Sequence, residues 1–289
     1  MYPGPLEYHR PDDLAEAIAM MGEFGDEGRV IAGGQSLLAR LRQRRVPVRY
    51  LIDIRRIGRI CGVRRERDAV VIGAAATHAL IERSAVVAET FPVLARVAGV
   101  IGDPAIRSLG TMGGSLAEAA PNADWPAVVL AFGSDVVVAN PQGEKRIPAG
   151  EYFTSGRQTS LEATDLITSV RFRIQPQQTG VAYVKQPEPA SGWALCGVAA
   201  LVTLDENGAI GRARVAITGM GPAPIRLKSV ERSLIGRQPE AAALRAAAAR
   251  ADEDIELEDG EGGTVAYRAN LARVWTDRAL RTAVAATIR

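Results

Sequence analysis

The chain has 289 residues, of which 47% are hydrophobic and 24% are charged. This composition is typical of a folded globular protein of one or two domains and excludes a largely disordered chain. The formal net charge of +2 is too small to indicate a general affinity for nucleic acid.

The N-terminal part predicts an alternation of short helices and strands. A helix starts at Pro11-Asp12-Asp13 and ends near Gly25, and a short buried strand, Val30-Ile31, leads into a glycine-rich turn. Further strands are predicted over 50–54, 69–73, 135–139 and 166–174, and helices over 37–41, 77–81, 92–100 and 126–132. The segment from Gly102 to Asp124 is predicted to be a long irregular loop, and such loops are usually functional.

A change in composition at Gln175-Pro176-Gln177-Gln178-Thr179-Gly180 predicts a domain boundary. We therefore expect one domain over residues 1–176 and another over residues 180–289. The second domain shows three strand-like runs, over 181–185, 198–204 and 213–218, and two helices, over 240–251 and 265–288. The acidic stretch from Asp252 to Glu261 is predicted to be a surface loop. Together these elements predict an α+β fold.

An arginine-rich stretch covers residues 40–67. We interpret it as a solvated surface, with a docking surface for a partner protein as the alternative. Nucleic acid is not expected, because no aromatic residues interleave with the arginines to stack on bases. The two cysteines, Cys61 and Cys196, lie far apart in the sequence, which excludes an iron–sulfur cluster or a structural zinc site built by this chain alone.

Several features bear on where the protein resides. The N-terminus has neither the basic nor the apolar region of a signal peptide. No apolar run reaches the roughly 18 residues of a membrane span, and the low cysteine content fits a reducing compartment. We therefore expect a cytoplasmic protein with no membrane span.

Two glycine motifs are the strongest functional signal. The first is Ala32-Gly33-Gly34-Gln35-Ser36, and the second is Thr111-Met112-Gly113-Gly114-Ser115. A Gly-Gly step allows unusual backbone dihedrals and lets other groups approach the backbone closely. Successive N–H groups in such a turn can converge on an anion. Two such turns therefore predict that a pyrophosphate is held from two sides, as in a dinucleotide cofactor.

Neither motif matches the common nucleotide-binding fingerprints. The first lacks the G-x-G-x-x-G spacing of a Rossmann turn, and neither has the lysine of a Walker A loop. A single Gly-Gly-x-Ser turn is more often a tight turn than a ligand site. The predicted pyrophosphate site therefore depends on the presence of both motifs.

The chain resembles, over nearly its whole length, the FAD-binding medium subunits of molybdenum-containing hydroxylases, such as the medium chain of carbon monoxide dehydrogenase and the flavin part of xanthine dehydrogenase. The segments that carry the resemblance are Tyr8–Pro11, Ala32–Leu38, Leu51–Ile54, Ile72–Ala74, Asp103–Arg107, Gly110–Ala117, Gly219–Arg226 and Tyr267–Arg268. The resemblance implies an FAD-binding domain of the vanillyl-alcohol-oxidase type, built of two α/β subdomains. A small α+β domain of the family's own type follows, with a three-stranded sheet and helices.

The resemblance also implies an FAD site. Its two pyrophosphate-binding loops are Ala32, Gly33, Gly34, Gln35 and Ser36, and Thr111, Met112, Gly113, Gly114 and Ser115. Asp124 matches an acidic residue on the ribose side, Ile101 part of the adenine pocket, and Leu166 and Ile167 an apolar edge of the flavin site. Lys185 matches a lysine near the flavin ring, and Trp193 an aromatic residue against its face. No catalytic residue and no metal site are predicted.

Each of these residues also has a simpler interpretation. The glycines would form tight turns and bind nothing, and Asp124 would cap the helix that starts near Pro126. Lys185 would protect an exposed sheet edge, and Trp193 would be a core or interface aromatic residue. His78 is interpreted as a residue at the start of a helix. Together with His9, the only other histidine, it gives no hydrolytic triad.

By resemblance, the chain is an FAD-binding electron-transfer subunit of a heterotrimeric molybdenum hydroxylase. A large molybdopterin subunit would oxidise an N-heterocycle, an aldehyde or CO. Two [2Fe-2S] clusters on a small subunit would pass the electrons to FAD on this chain, and FAD would pass them to an external acceptor. A dimer of heterotrimers is expected. The alternatives are a stand-alone flavin-dependent oxidase or dehydrogenase and a non-enzymatic binding or scaffold protein.

Overall fold

A computed structural model describes residues 4–154, 156–260 and 262–287. By their internal contacts, these residues fall into two compact units. The first unit takes the described residues within 1–118, 135–152 and 159–172, and the second takes those within 119–134, 153–158 and 173–289. The domain boundary expected between residues 176 and 180 stays a prediction.

A small parallel sheet forms the N-terminal part of the first unit. Its strands are β1 (Glu7–His9), β2 (Gly28–Ile31) and β3 (Tyr50–Asp53), in the order β1-β3-β2. Helix α1 (Leu14–Phe24) follows β1, and α2 (Leu37–Arg42) follows β2. The predicted helix start is confirmed, because the carboxylate of Asp13 accepts the N–H of Glu16 at 2.9 Å.

A five-stranded sheet forms the rest of the first unit's β-structure, in the order β4-β5-β8-β6-β7. The strands are β4 (Val63–Arg65), β5 (Ala69–Gly73), β6 (Asp135–Asn140), β7 (Gly143–Pro148) and β8 (Leu166–Arg173). The strands with apolar runs, β5, β6 and β8, are predicted from the sequence. The polar strands β4 and β7 are not, because neither has an apolar run.

Short helices complete the first unit: α3 (His78–Glu82), α4 (Ala85–Thr90), α5 (Pro92–Gly99), α6 (Pro104–Leu109), α7 (Met112–Glu118) and α9 (Ala149–Tyr152). Helices α3 and α5 are predicted from the sequence. The prediction of a long irregular loop from Gly102 to Asp124 is wrong, because α6 and α7 occupy most of that segment. Asp103 caps α6 by accepting the N–H of Ile106 at 2.8 Å.

The second unit contains an antiparallel sheet in the order β12-β11-β10-β9. Its strands are β9 (Thr179–Pro187), β10 (Ala194–Leu204), β11 (Ile210–Thr218) and β12 (Ile225–Arg226). The three long strands are the three predicted from the sequence. The structure corrects the predicted three-stranded sheet by adding β12, a strand too short to give a pattern of its own.

The helices of the second unit include α8 (Asp124–Phe132), α10 (Lys228–Leu234), α11 (Ala241–Ala248) and α12 (Val265–Thr287). Helices α8, α10 and α12 contact the sheet, and α11 packs on α10 and α12. All nine residues of α8 are buried, and this helix contacts β10 and β11. The long helix α12 contacts β9 and β10. The predicted acidic loop instead begins with a short 3-10 helix, Ala251–Asp254, and its last residue, Glu261, lies outside the described residues.

The arginine-rich stretch is mostly exposed, in agreement with its interpretation as a solvated surface. Five of its members form ion pairs with carboxylates: Arg40, Arg49, Arg55, Arg59 and Arg64. Within the part of the chain that the structure describes, no helix is both long enough and apolar enough to span a membrane.

One close contact fixes α12 on its sheet. A Cβ atom added to Gly180 in β9 would lie 1.8 Å from the carbonyl oxygen of Ala283 in α12. We therefore expect Gly180→Ala to lower the free energy of unfolding by about 3 kcal/mol, because helix and strand would have to separate. Gly211→Ala in β11 is the control, since its Cβ would meet its nearest neighbour at 3.4 Å. Urea unfolding of both variants tests this. Equal stabilities would contradict the expectation.

A buried carboxylate stabilises the end of β3. Asp53 accepts hydrogen bonds from the Tyr8 hydroxyl and from the Arg55 guanidinium, the latter at 2.7 Å. Burial opposes ionisation of this carboxyl, but the hydrogen bonds from Arg55 and Tyr8 outweigh burial and lower the pKa of Asp53 to about 2.

This pKa predicts a loss of stability in acid. The folded state holds the proton of Asp53 more weakly than the unfolded chain, so the stabilisation is complete above pH 4 and is lost as the pH falls towards 2. We expect a contribution of about 2 kcal/mol. Unfolding measured between pH 2 and pH 6 should show a smaller acid-dependent loss for Asp53→Asn than for the wild type. Parallel curves for the two proteins would refute the assignment.

Candidate functional site

The first glycine motif connects β2 to α2 in the first unit. Gly34 adopts a φ angle of 70°, which favours glycine over other residues. Its carbonyl oxygen accepts the N–H of Leu38 at 3.0 Å and so begins α2. Ser36 occupies the N-cap position, but its hydroxyl makes no capping hydrogen bond. The turn therefore leaves a hydroxyl available next to bare backbone.

The N–H groups of this turn are its most distinctive feature. Among the described residues, no protein acceptor pairs with the N–H groups of Gly33, Gly34, Gln35 or Ser36. All four residues are half-buried. Unpaired N–H groups with limited access to water are costly, and consecutive ones form a site for an anion. The turn thus has the donors that a pyrophosphate needs.

The second glycine motif is not an open turn, and its interpretation as one is wrong. Residues 112–115 form the first turn of α7. Their N–H groups already have acceptors in the protein: Met112 donates to the carbonyl oxygen of Ala76 at 3.1 Å and Gly113 to that of Ala74 at 2.8 Å. Gly114 donates to Oγ1 of Thr111 at 3.1 Å. This motif therefore offers a closely approachable surface and not a second set of free donors.

The two motifs lie against each other although they are distant in sequence. A Cβ atom on Gly33 would be 2.3 Å from the carbonyl oxygen of Leu109 and 2.8 Å from Cα of Gly110. Gly110 directly precedes Thr111, and its carbonyl oxygen accepts the N–H of His78 at 2.9 Å. Only a residue without a side chain allows this backbone-to-backbone contact. The structure therefore brings together the two segments that the sequence singles out.

The glycines of the two motifs differ in how closely other residues pack against them. A Cβ atom on Gly113 would lie 2.6 Å from Cβ of Ala74, so this glycine is needed for packing, as Gly33 is. A Cβ atom on Gly114 would meet only the Thr111 hydroxyl, at 2.8 Å. Packing thus accounts for Gly33 and Gly113, whereas the outer side of Gly114 is open. Gly114 is therefore the glycine of this turn that packing against other elements explains least.

His78 supports this region without taking part in acid–base chemistry. It is the first residue of α3, which Thr77 caps, and this confirms its interpretation as a helix-start residue. Burial, with a smaller effect from the charge of Arg107, lowers the pKa of His78 to about 4. Its imidazole is therefore neutral near pH 7.

The remaining predicted residues of the first unit lie on nearby elements. Ile167 is buried on β8, beside Thr168, whose carbonyl oxygen accepts the N–H of Ala74 at 2.9 Å. Ala74 is also the residue against which Gly113 packs, so Ile167 lies close to the start of α7. Ile101 is half-buried in the turn before α6, and its carbonyl oxygen accepts a hydrogen bond from Arg107 at 3.3 Å. It therefore lies at the opposite end of α6 from Leu109.

In the second unit, two predicted residues meet in a buried ion pair. The Lys185 ammonium lies 3.0 Å from Oδ1 of Asp124, and the Tyr183 hydroxyl donates to the same oxygen at 2.6 Å. The side chains of Asp124 and Lys185 are only 4% and 5% exposed. Burial raises the pKa of the Asp124 carboxyl, while the charge of Lys185 opposes this rise.

This geometry corrects two of the simpler interpretations. Asp124 does not cap α8, because Ala123 is the N-cap residue and Asp124 is the first residue of the helix. Lys185 lies on the edge strand β9, but its buried side chain does not protect an exposed edge. Sequence reasoning missed Tyr183. The available signal was its spacing of two from Lys185, which places both side chains on one face of a strand.

Trp193 immediately precedes β10. It is 39% exposed, so its interpretation as a core aromatic residue is wrong. The N–H of Ala194, the next residue, donates to the carbonyl oxygen of Asn122 at 3.2 Å. The Thr218 hydroxyl donates to the carbonyl oxygen of Ala123 at 2.9 Å. The ends of β10 and β11 therefore hold the segment that leads to Asp124.

A residue of α12 supports the same segment. The guanidinium of Arg268 donates to the carbonyl oxygen of Met220 at 2.8 Å, while the N–H of Gly219 donates to the carbonyl oxygen of Pro121 at 2.7 Å. The sequence gives no direct signal for this support, because it joins three distant parts of the chain.

Comparisons with known proteins assign a family to both parts of the chain. Residues 4–172 match the family described as the FAD binding domain in molybdopterin dehydrogenase. Residues 181–283 match the CO dehydrogenase flavoprotein C-terminal domain. FAD is therefore the cofactor of this chain, and the predicted order of an FAD-binding domain and a flavoprotein C-terminal domain in an α+β chain is confirmed.

Individual relatives match over nearly the full length. The carbon monoxide dehydrogenase medium chain of Hydrogenophaga pseudoflava is 33% identical over 283 residues, covering 98% of this chain and 98% of that protein. The caffeine dehydrogenase subunit beta of Pseudomonas sp. (strain CBB1) is 30% identical and covers 97% and 95%.

Among solved structures, the carbon monoxide dehydrogenase of Hydrogenophaga pseudoflava superposes with a TM-score of 0.94 at 33% identity and covers 99% of both chains. The two matched domains and the full-length relatives agree with each other and with the resemblance found in the sequence. The chain therefore belongs to the molybdopterin dehydrogenase family of oxidoreductases, as an FAD-binding flavoprotein of the CO dehydrogenase type.

Proposed function

We propose that this chain is the FAD-binding electron-transfer subunit of a heterotrimeric molybdenum hydroxylase. Electrons would arrive from two [2Fe-2S] clusters on a small subunit and leave to an external acceptor. A large molybdopterin subunit would oxidise the substrate, an N-heterocycle, an aldehyde or CO. Full-length similarity to a carbon monoxide dehydrogenase medium chain and a caffeine dehydrogenase subunit supports this assignment.

The observation that carries the proposal is the row of unpaired N–H groups at Gly33, Gly34, Gln35 and Ser36. In our proposal these groups, together with the Ser36 hydroxyl, bind the pyrophosphate of FAD. The donors are fixed before binding, because Gly33 packs against Leu109 and Gly110. Fixed donors lose little entropy when an anion binds. The residues present thus fit the cofactor.

We propose that the second motif contacts the pyrophosphate through the surface of its backbone and not through unpaired N–H groups. The backbone at Gly114 has no side chain on its outer side, so a phosphate can approach the first turn of α7. The half-buried Ser115 would add its hydroxyl, whereas Thr111 and Met112 are buried and support this turn from inside. Gly113 acts indirectly, by holding that turn against Ala74.

We assign the remaining predicted residues by their chemistry. The Asp124 carboxylate, oriented by Lys185 and Tyr183, would accept ribose hydroxyls with its remaining lone pairs. Ile101 would contact adenine and Ile167 the flavin edge. The exposed ring of Trp193 would stack on the flavin.

The chain's role is to position the cofactor. Bound FAD supplies the redox chemistry, because a flavin exchanges both single electrons and electron pairs. The neutral His78 and the ion-paired Asp124 need not transfer protons to a substrate. The two cysteines cannot supply the four thiolates of an iron–sulfur cluster, which supports our proposal that those centres reside on partner subunits.

Gly114→Val tests the cofactor site. The branched side chain would fill the space open to a phosphate, so we expect the FAD bound per chain to fall at least about tenfold while the chain stays folded. The absorbance of bound flavin and the circular dichroism spectrum of the purified protein measure the two quantities. FAD retention at the wild-type level would refute the role of α7.

Gly113→Ala is the matched control for this variant. Its Cβ would collide with Ala74, so we expect a lower melting temperature together with any loss of FAD. Comparison of the two variants thus separates a loss of FAD binding from a loss of stability. If Gly114→Val lost stability as Gly113→Ala does, the distinction between them would fail.

Affinity purification of the tagged chain from its native host tests the proposed assembly. We expect a large and a small partner to copurify in equal amounts with this chain, and iron and molybdenum to accompany them in elemental analysis. The reason is that electron transfer to FAD requires centres that this chain cannot hold. A chain that purified alone with FAD and oxidised a substrate by itself would establish the stand-alone enzyme instead.

A further inference from the structure

A groove of about 350 Å³ lies on the five-stranded sheet of the first unit. We call it the sheet groove. Its floor includes Val71 of β5, Val137 of β6, and Thr168 and Ser169 of β8. Its walls are charged and consist of Arg59, Arg64, Arg146, Arg171, Glu66 and Glu144. None of the residues assigned to the proposed FAD site lines the groove, although Thr168 and Ser169 directly follow Ile167 on β8.

Carboxylates hold three of the four arginines in place. The side chain of Arg171 is only 9% exposed and pairs with Glu66 and with Asp68, which is not part of the lining. Arg64 pairs with Glu66 at 3.2 Å, and Arg59 pairs with Glu144 at 3.3 Å. A guanidinium that is already oriented loses less rotamer freedom when it binds an anion.

The groove keeps positive charge after this pairing. Four guanidinium groups and two carboxylates line it, and Asp68 beside the lining adds a third carboxylate that pairs with Arg171 and interacts with the charge of Arg146, which leaves one net positive charge. Within the described residues, Arg146 forms no ion pair and no hydrogen bond, and the Ser169 hydroxyl at the floor also has no partner. The groove therefore combines an unpaired cation at its rim with an unpaired hydroxyl at its base.

We propose that the sheet groove binds a small oxyanion with two or more negative charges, of phosphate or polycarboxylate type. Guanidinium groups bind both kinds of oxyanion through paired N–H donors. The volume of the groove lies in the range of small-molecule sites. This site goes beyond the proposed electron-transfer function, because it does not involve the cofactor.

Isothermal titration of the FAD-saturated protein tests the proposal, because saturation keeps the probes away from the cofactor site. The probes are inorganic pyrophosphate and citrate, which distinguish phosphate from carboxylate chemistry, with sodium chloride at matched ionic strength as the background. We expect one of the two probes, or both, to bind saturably with one site per chain.

Arg146→Gln should weaken this binding at least about tenfold, because it removes the unpaired cation. Ser169→Ala should weaken it as well and disturbs no ion pair. Arg65→Gln is the matched control: Arg65 is an exposed arginine that neighbours Arg64 on β4 but is not part of the lining. Its affinity should stay within about twofold of the wild type, since successive residues of a strand, such as Arg64 and Arg65, face opposite sides.

Three results would overturn the proposal: no saturable binding of either probe, unchanged affinity in Arg146→Gln, or an equal loss in Arg65→Gln. The FAD content of each variant is measured in the same samples. Because the sheet groove shares no residue with the glycine motifs, unchanged FAD content together with lost oxyanion binding would separate this site from the proposed function.

Discussion

The approach of one stretch of backbone to another, with no side chain between them, is the constraint on which the candidate site depends. Gly33 rests directly on Leu109 and Gly110, and Gly113 rests on Ala74. These contacts fix the unpaired N–H groups of the β2–α2 turn beside the first turn of α7. A larger residue at either glycine would move these two elements apart. The position of the unpaired N–H groups therefore depends on the packing of these glycines.

In the second unit, contacts between side chains and not between backbones fix the position of a predicted site residue. The unit brings Asp124, Tyr183 and Lys185 together through side chains, in a buried network with few alternatives. A buried carboxylate is stable only when its oxygens are paired, and here an ammonium and a phenol pair with it. Such a network gives the carboxylate one fixed orientation. The second unit thus fixes a side-chain acceptor through side-chain contacts, without the bare-backbone contacts found in the first.

Much of the fold could be predicted from local patterns. The strands predicted from the apolar runs of β5, β6, β10 and β11 are confirmed, and so is the start of α3. Local preference and tertiary structure agree at these elements. The first turn of α7 is the clearest failure. A Gly-Gly step favours a turn, yet hydrogen bonds to the carbonyls of Ala74 and Ala76 hold it in a helix. Tertiary contacts of this kind leave no mark on the local sequence.

The candidate site was only partly predictable for the same reason. The sequence singled out both glycine motifs, but not which of their N–H groups are free. The arginine-rich stretch gave no sign that Arg64 would share a groove with Arg146 and Arg171, because strand order alone brings them together. Tyr183 was recognisable only through its spacing of two from Lys185, since Tyr183 and Asp124 belong to a strand and a helix far apart in the chain.

The discontinuous make-up of the second unit has a consequence for synthesis on the ribosome. Helix α8, whose nine residues are all buried, leaves the ribosome well before β10 and β11, the strands that cover it. Since nascent chains grow from the N-terminus and exposed apolar segments aggregate, the emerging α8 needs protection until those strands have been translated. The segment that leads to Asp124 is likewise complete only after Arg268 has been translated, because Arg268 donates to the carbonyl oxygen of Met220, next to the residue that binds Pro121.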